Sequence, residues 1–415
     1  MKKNLIFLIM LSSFSLILNA EISLYDCLDA ALQKSYDIKI GKKEIQKTKY
    51  QQQNSMAAFL PSIEVSKKVS KATNDYENTN NSLTASTSLD LFDKRFINFK
   101  TAKIDLKQAK LDYKNQKDET IVSVVNNYLT INLLKEKSRY YKNLISDYQK
   151  QKIFINELIK AGAKTLFDLY SIEIEIKNNE IELEKTENEI EKTIEQLNFL
   201  TGLSLKITDD FGDIDINTIK LSQNKSFEKS YEIISSKLSL IRSKISRYDA
   251  FTNLLPTVYL QGSKYFSKEY DDYNWGVGND LDNSWQISLN LQFDFGNFLS
   301  DYNNFRISKI NLSQQKLRLE KTISLQKINL NSQKRAVILS QKQIVHDEEK
   351  IHFASQKFEL AKTQYQSGLL DFFKLKDSAN QLISAKITLI NDKKSYILNV
   401  INYQKTIGEK ILNKY

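Results

Sequence analysis

A mainly α-helical chain with a small membrane-crossing β part is the fold class that this 415-residue sequence predicts. Three observations lead there. Only 2 prolines and 10 glycines occur in the chain, where average usage gives about 21 and 29. Tight turns depend on those residues, so connections are few and elements long. The same landmarks recur at fixed offsets, so one arrangement is carried twice. Two segments alternate polar and apolar residues, and each is long enough to be a tilted strand in a bilayer. Hydrophobic residues at 41% are too many for a disordered chain. A mean hydropathy of −0.44 is too polar for a helical membrane bundle.

Taken in order, residues 1–20 read as a secretory signal. Lys2 and Lys3 form the positive start, the run from Leu5 to Leu18 the apolar stretch, and Ala20 the small residue before a cut at Glu21. Cys27 follows Leu24-Tyr25-Asp26, not the small residues of a lipidation site. No later stretch approaches the roughly 18 apolar residues of a membrane-spanning helix.

Two copies of one pattern follow. Lys34-Ser35-Tyr36-Asp37-Ile38 recurs as Lys229-Ser230-Tyr231-Glu232-Ile233, and Pro61 as Pro256, both at an offset of 195. Gly162 recurs as Gly368 and Gly202 as Gly408, at an offset of 206. The expected division is a signal over 1–20, a first repeat over 21–220 and a second over 221–415. Each repeat opens with a helix, 24–59 or 227–254, which ends at Leu60 or Leu255 because a residue before proline is pushed out of the α region. Two strand runs come next. No Gly or Pro then interrupts the chain between Lys94 and Ala161 or between Asn297 and Ser367, which predicts helices of about 100 Å at 1.5 Å per residue. After each glycine break a heptad series appears: Leu169, Ile176, Leu183, Ile190, Leu197, and Leu375, Leu382, Leu389, Tyr396, Tyr403. A sustained seven-residue apolar period is a coiled-coil seam, so each glycine marks a hairpin tip where a long helix turns back on a shorter partner.

The strands carry the membrane signal. Over 284–295, Trp285, Ile287, Leu289, Leu291, Phe293 and Phe295 share one face, opposite Ser284, Gln286, Ser288, Asn290, Gln292 and Asp294. Residues 82–92 alternate likewise. The runs after the prolines (Ile63, Val65, Val69; Val258, Leu260) alternate less cleanly. A polar face of Ser, Thr, Asn and Gln suits a wet lumen. The aromatics Tyr265, Phe266, Tyr270, Tyr273, Trp275, Trp285, Phe295 and Phe298 gather near strand ends, as an interfacial girdle does. The stretches 71–81 and 267–283 read as polar connecting loops. Four strands cannot close a barrel, and an open edge in hydrocarbon leaves backbone groups unsatisfied. Two chains would give eight strands and three would give twelve; only the wider ring leaves an open pore.

Chemistry is not indicated. A single cysteine excludes an internal disulfide and a cysteine-based zinc site. His346 and His352 lie six apart, whereas two ligands on one helix face need three or four. No nucleophile or phosphate motif is present. The reading is therefore no enzyme, no cofactor, no metal. The net charge of +10 comes from lysines spread along the chain and mixed with Glu and Asp, so no nucleic-acid partner is expected.

The chain resembles the TolC-type outer-membrane efflux protein family. The resemblance is carried by the start Ile22-Ser23-Leu24-Tyr25-Asp26-Cys27-Leu28-Asp29-Ala30-Ala31-Leu32, the two helix-Pro-strand junctions, Leu91-Phe92-Asp93, the two glycine-headed hairpins and the duplicated order. It implies a trimeric channel-tunnel: a 12-stranded β-barrel in outer-membrane lipid, four strands per chain, above a long periplasmic coiled-coil α-barrel. It implies a passive exit duct serving an inner-membrane pump through a periplasmic adaptor. The adaptor would meet the tips at Gly162 and Gly368. Lys374 and Asp377 match a pair of acidic entrance positions, with Asp371 three residues before Lys374. Asp168 and Tyr365 match positions that hold the entrance closed, while Leu370 stands where a basic partner is usual. The alternative is a soluble periplasmic coiled-coil adaptor or structural protein, which shares the signal and the hairpins.

Overall fold

The computed structural model describes residues 21–71, 77–90, 93–162, 164–212, 226–270 and 282–413. The expected signal over 1–20, Leu91-Phe92, Ala163, Tyr273 and Trp275 lie outside them. Elements follow in the order α1 (Leu24–Lys34), α2 (Tyr36–Ala57), β1 (Ser62–Lys71), β2 (Glu77–Asp90), α3 (Lys94–Lys160), α4 (Leu166–Thr201), α5 (Tyr231–Thr252), β3 (Thr257–Tyr270), β4 (Asp282–Gln292), α6 (Phe298–Gln366) and α7 (Phe372–Ile407). The molecule is mainly helical with one four-stranded sheet. The long helices α3 and α6 run 67 and 69 residues.

The same local hydrogen bonds close corresponding elements in the two halves. Phe59 and Leu60 N–H donate to Met56 and Ala57 carbonyls, and Leu254 and Leu255 to Phe251 and Thr252. Both helices therefore unwind one turn before their prolines, as the pre-proline restriction requires. Helices α4 and α7 are each 36 residues long and end on a left-handed glycine, Gly202 or Gly408.

Four expectations need correction. The first helix is not continuous over 24–59: it breaks at buried Ser35, whose ψ of 137° ends α1 and restarts the chain as α2. In the second half the helix begins at Tyr231 rather than 227. The second strand begins at Glu77 rather than 82, and β3 runs on to Tyr270, so parts of both expected loops are paired strand. Conversely, β4 stops at Gln292. Phe293 and Phe295 lie beyond it and stack edge-on at 4.5 Å, because Asp294 turns the backbone there by accepting from the Gly296 N–H at 2.9 Å.

The chain divides into two compact units, each drawn from both halves. One comprises Met1–Ile40, Asn115–Ser230 and Lys327–Tyr415; the other comprises Gly41–Lys114 and Tyr231–Gln326. In the first unit, the opening segment packs as an amphipathic helix. Ser23 caps α1 in a reciprocal box with Asp26, which leaves Leu24, Cys27, Leu28 and Ala31 on the face that enters the core. That core is completed by Ile121, Val124, Val125 and Tyr128 of α3, Ile190, Ile194 and Leu197 of α4, and Val400, Ile401 and Ile407 of α7. The Tyr128 hydroxyl reaches the carbonyls of Ile22 at 2.6 Å and Gly212 at 2.8 Å, tying the chain's start to the segment after α4. Burial pushes the Cys27 thiol up to about 11, helped by Asp26, so it is an inert core residue.

The second unit holds the sheet, antiparallel throughout in the order β1-β2-β3-β4, so among the described residues β1 and β4 are both free edges. Its polarity is inverted relative to a soluble sheet. Trp285, Ile287, Leu289 and Leu291 are 61–73% exposed on one face of β4, and Ile63 and Val65 of β1 are exposed likewise. Behind the sheet, a cleft of about 580 Å³ is lined by Ser62, Ser86, Ser88, Thr257 and Gln261, with Arg95 at its base. Arg95 fixes the strand-to-helix junction. Its Nε donates to both Asp93 carboxylate oxygens at 2.9 and 2.7 Å, Nη2 to the Ser88 carbonyl at 2.5 Å and Nη1 to the Ala58 carbonyl at 3.2 Å. Burial disfavours the Asp93 charge, but these bonds outweigh it and hold the carboxyl below its ordinary range.

Candidate functional site

The two hairpin tips lie in the first unit and are built alike. Gly162 has φ +74° and Gly368 φ +77°, and their N–H groups donate to the carbonyls of Ile159 and Tyr365 at 3.0 and 3.1 Å. Nothing lies within 4 Å of where a Cβ would sit at either glycine, so these positions need the left-handed backbone rather than the space. Each returning helix is then capped. Thr165 opens α4, with its N–H and hydroxyl both donating to the Asp168 carboxylate at 3.2 and 3.1 Å. Asp371 opens α7, accepting from the Lys374 N–H at 2.8 Å. A carboxylate at a helix N-terminus offsets the orphan N–H groups and the positive end of the helix dipole.

Below the tips the four helices share one apolar cluster. Leu144, Ile145, Tyr148 and Ile155 of α3 meet Ile172 and Ile176 of α4, Ala361 and Tyr365 of α6, and Phe372, Leu375 and Ala379 of α7. The heptad seams enter it directly: Ile176 and Leu375 are buried, with Leu169 and Leu183 packed at its edge. Phe372 sits between two tyrosines, its ring 5.8 Å from Tyr148 and 6.2 Å from Tyr365.

The expected site residues separate into two groups. Asp377 and Lys374 are exposed one turn apart on α7, and Gln381 donates to the Asp377 carboxylate at 2.7 Å. They are free to face solvent as a mixed-charge pair. Asp168 and Asp371 are engaged as caps. Tyr365 is 3% exposed and belongs to the cluster; burial, then the nearby Asp168 charge, pushes its hydroxyl up to about 12. The Lys164 ammonium lies 5.2 Å over its ring. Leu370 packs against the cluster, contributing apolar contact where a basic side chain would contribute charge.

Sequence reasoning missed the one ion pair that joins α4 to α7 among the described residues. Lys376 Nζ lies 2.5 Å from Glu175 Oε1. The available signal was position: Glu175 precedes the seam residue Ile176 and Lys376 follows the seam residue Leu375. Residues flanking a coiled-coil seam are where helices exchange charges. Each hairpin also carries its own surface pairs, such as Lys152–Glu173 at 2.7 Å between α3 and α4. Among the described residues no cluster of His, Cys, Asp and Glu could hold a metal ion, and no helix is long and apolar enough to cross a membrane.

Residues 27–203 match the family described as outer membrane efflux protein. Curated proteins yield no match. Among solved structures, the CusC channel superposes with a TM-score of 0.82 at 15% identity, covering 94% of this chain and 93% of that one. The Campylobacter jejuni CmeC outer membrane channel gives 0.81 at 17% identity, covering 94% and 87%. The Neisseria gonorrhoeae MtrE outer membrane channel, in its open state, gives 0.78 at 12% identity, covering 93% and 89%. Identities this low establish a shared fold.

Proposed function

We propose, from the match of residues 27–203 to the outer membrane efflux protein family and from the shared fold, that the chain is an outer-membrane exit duct. It passes substrate from an inner-membrane pump to the exterior, in a tripartite efflux or type I secretion system, and performs no chemistry itself. The inverted sheet is the observation that carries this reading. A water-facing sheet buries its apolar side; here Trp285 and Leu289 stand more than 70% exposed while serines, threonines and Gln261 line the cleft behind. That arrangement is stable only with lipid against the apolar face.

The free edges β1 and β4 then require other copies of the chain, because each unpaired backbone group in hydrocarbon costs several kcal/mol. Three copies give a 12-stranded barrel, wide enough to stay open. The duplicated order fits a tandem duplication over 21–220 and 221–415, after removal of a signal over 1–20. A periplasmic adaptor docks at the Gly162 and Gly368 tips, whose turns project clear of neighbouring atoms. Asp377 and Lys374, exposed on α7, face the narrow entrance, with Asp168, Asp371 and Tyr365 holding its helices in place.

Membrane fractionation followed by electrophoresis of unheated and heated samples tests the reading. Recovery only with detergent, as a trimer that heat converts to monomer, supports it. A monomer released by aqueous buffer alone sinks it and returns the soluble coiled-coil alternative.

A further inference from the structure

Along the chain lysines are mixed with acids, but the first turns of α3 sort them by face. Lys100, Lys103, Lys107, Lys110 and Lys114 are all exposed. Their spacing of three and four places them, with Phe96, in one sector about 80° wide at 3.6 residues per turn. Asp105 and Asp112 lie on the other side of the helix, where α5 holds them. Arg242 pairs with Asp105, and the Tyr231 hydroxyl donates to Asp112 at 2.8 Å. None of the five lysines has an ion-pair or hydrogen-bond partner among the described residues. Like charges three or four residues apart weaken a helix, so the stripe is held against a local penalty.

The stripe turns away from the cleft behind the sheet. Lys94, which lines that cleft, lies roughly opposite it on the same helix. Helix α3 also continues β2, an interior strand paired on both sides, to β1 and to β3. In the duct reading copies of the chain join at β1 and β4, so no copy covers α3. The duplicated helix supplies the contrast, because α6 continues the edge strand β4. At the offset of 206 it repeats the top of the stripe as Tyr302, Arg306 and Lys309, but places Ser313 and Glu320 where α3 has Lys107 and Lys114. Of the two copies, the one that ring closure leaves open keeps its basic face unbroken.

The length of the stripe selects its partner. It begins about 9 Å along α3 and runs about 21 Å further. A headgroup layer is only about 5–8 Å deep, and charges are screened over about 8 Å at physiological salt. A lipid surface therefore meets the upper end alone. A polymer with carboxylates along its length meets all five lysines, and linked weak contacts add up to firm binding. We propose that the α3 stripe docks a carboxylate-bearing polymer of the aqueous space below the membrane, the chemistry of the cell-wall glycopeptide, and so tethers the duct to it. The proposal rests on the duct reading for its compartment, but the binding is measurable without it.

Co-sedimentation of the full chain, in detergent, with purified cell-wall sacculi tests the docking. The unaltered protein should pellet with sacculi at low salt and stay in solution at about 1 M salt, where the screening length falls to about 3 Å. Amidating the sacculus carboxyls should abolish pelleting. Lys103→Gln with Lys107→Gln and Lys110→Gln removes three exposed pairings and should weaken binding about tenfold. Lys309→Gln with Lys316→Gln and Lys321→Gln, an equal change of net charge on α6, should weaken it less than about twofold if position rather than charge total decides. Both variants should keep the heat-resistant oligomer. No pelleting of the unaltered chain, equal losses in the two variants, or binding that survives amidation overturns the proposal. So does loss of binding to phosphatidylglycerol vesicles in the α3 variant with sacculus binding intact, which assigns the stripe to a lipid surface. A chain that pellets through α3 but never conducts in a bilayer counts against the duct alone.

Discussion

At the scale of single residues, charge and backbone conformation give separable predictions. Asp377 is exposed with one neutral donor, Gln381, on its carboxylate. In the proposed trimer it would be repeated three times as a ring, and such rings set ion preference in a narrow pore. Asp377→Asn should weaken cation selectivity in bilayer recordings, while Lys374→Asn should strengthen it; unchanged reversal potentials in both would remove α7's first turns from the entrance. The glycines differ among themselves. Gly368 needs only its positive φ, so Gly368→Ala should cost about 1 kcal/mol, visible as faster local exchange at the tip. At Gly408 a methyl group would collide with the Lys229 backbone, so Gly408→Ala should lower the thermal midpoint by considerably more. The sequence showed that both glycines end helices, since a stretch free of Gly and Pro stops at Gly368 and an apolar period stops before Gly408. It could not show which also needed space, because Lys229 lies far away along the chain. Lys376 and Glu175 were hidden for the same reason: neither residue is unusual until two helices some 200 positions apart are packed together.

At the scale of elements, boundaries were legible wherever backbone chemistry changes. Proline, glycine and the pre-proline rule located the ends of α2, α5, α4 and α7. They failed where an element ends or begins without such a residue. Ser35 breaks a helix in mid-pattern, and Glu77–Asn81 belongs to β2 although every side chain in it is polar, so no alternation marks it. Backbone pairing to β1 and β3 carries that stretch instead. The face assignment of β4 yields a direct comparison. In the proposed duct Leu289 faces lipid, so Leu289→Lys should cost about 2–4 kcal/mol, seen as loss of folded, heat-resistant oligomer. Asn290→Lys, on the opposite face, should be tolerated. The Asp93–Arg95 pair anchors the junction between β2 and α3, and Arg95→Leu should cost about 3 kcal/mol by leaving a buried carboxylate alone. Because Asp93 is held below its ordinary range, the stability it supplies is complete above about pH 4 and is lost as pH falls through the lower folded-state value. The midpoint difference between Asp93→Asn and the unaltered chain should therefore be present at neutral pH and vanish in strong acid.

At the scale of the whole molecule, the scarcity of proline and glycine and the twofold order were readable from the sequence, and the element list follows from them. The number of chains was not. Strand arithmetic leaves eight, twelve or more strands open, since the edges of β1 and β4 carry no residue that counts partners. A ring closed by copies of this chain makes one demand that no soluble coiled-coil protein meets: a continuous aqueous path across a bilayer. Purified full-length protein added to a planar lipid bilayer should give discrete, uniform conductance steps, each from one inserted oligomer. Protein that stays in the aqueous phase and leaves the membrane resistance unchanged, under conditions in which it is folded, would contradict the duct.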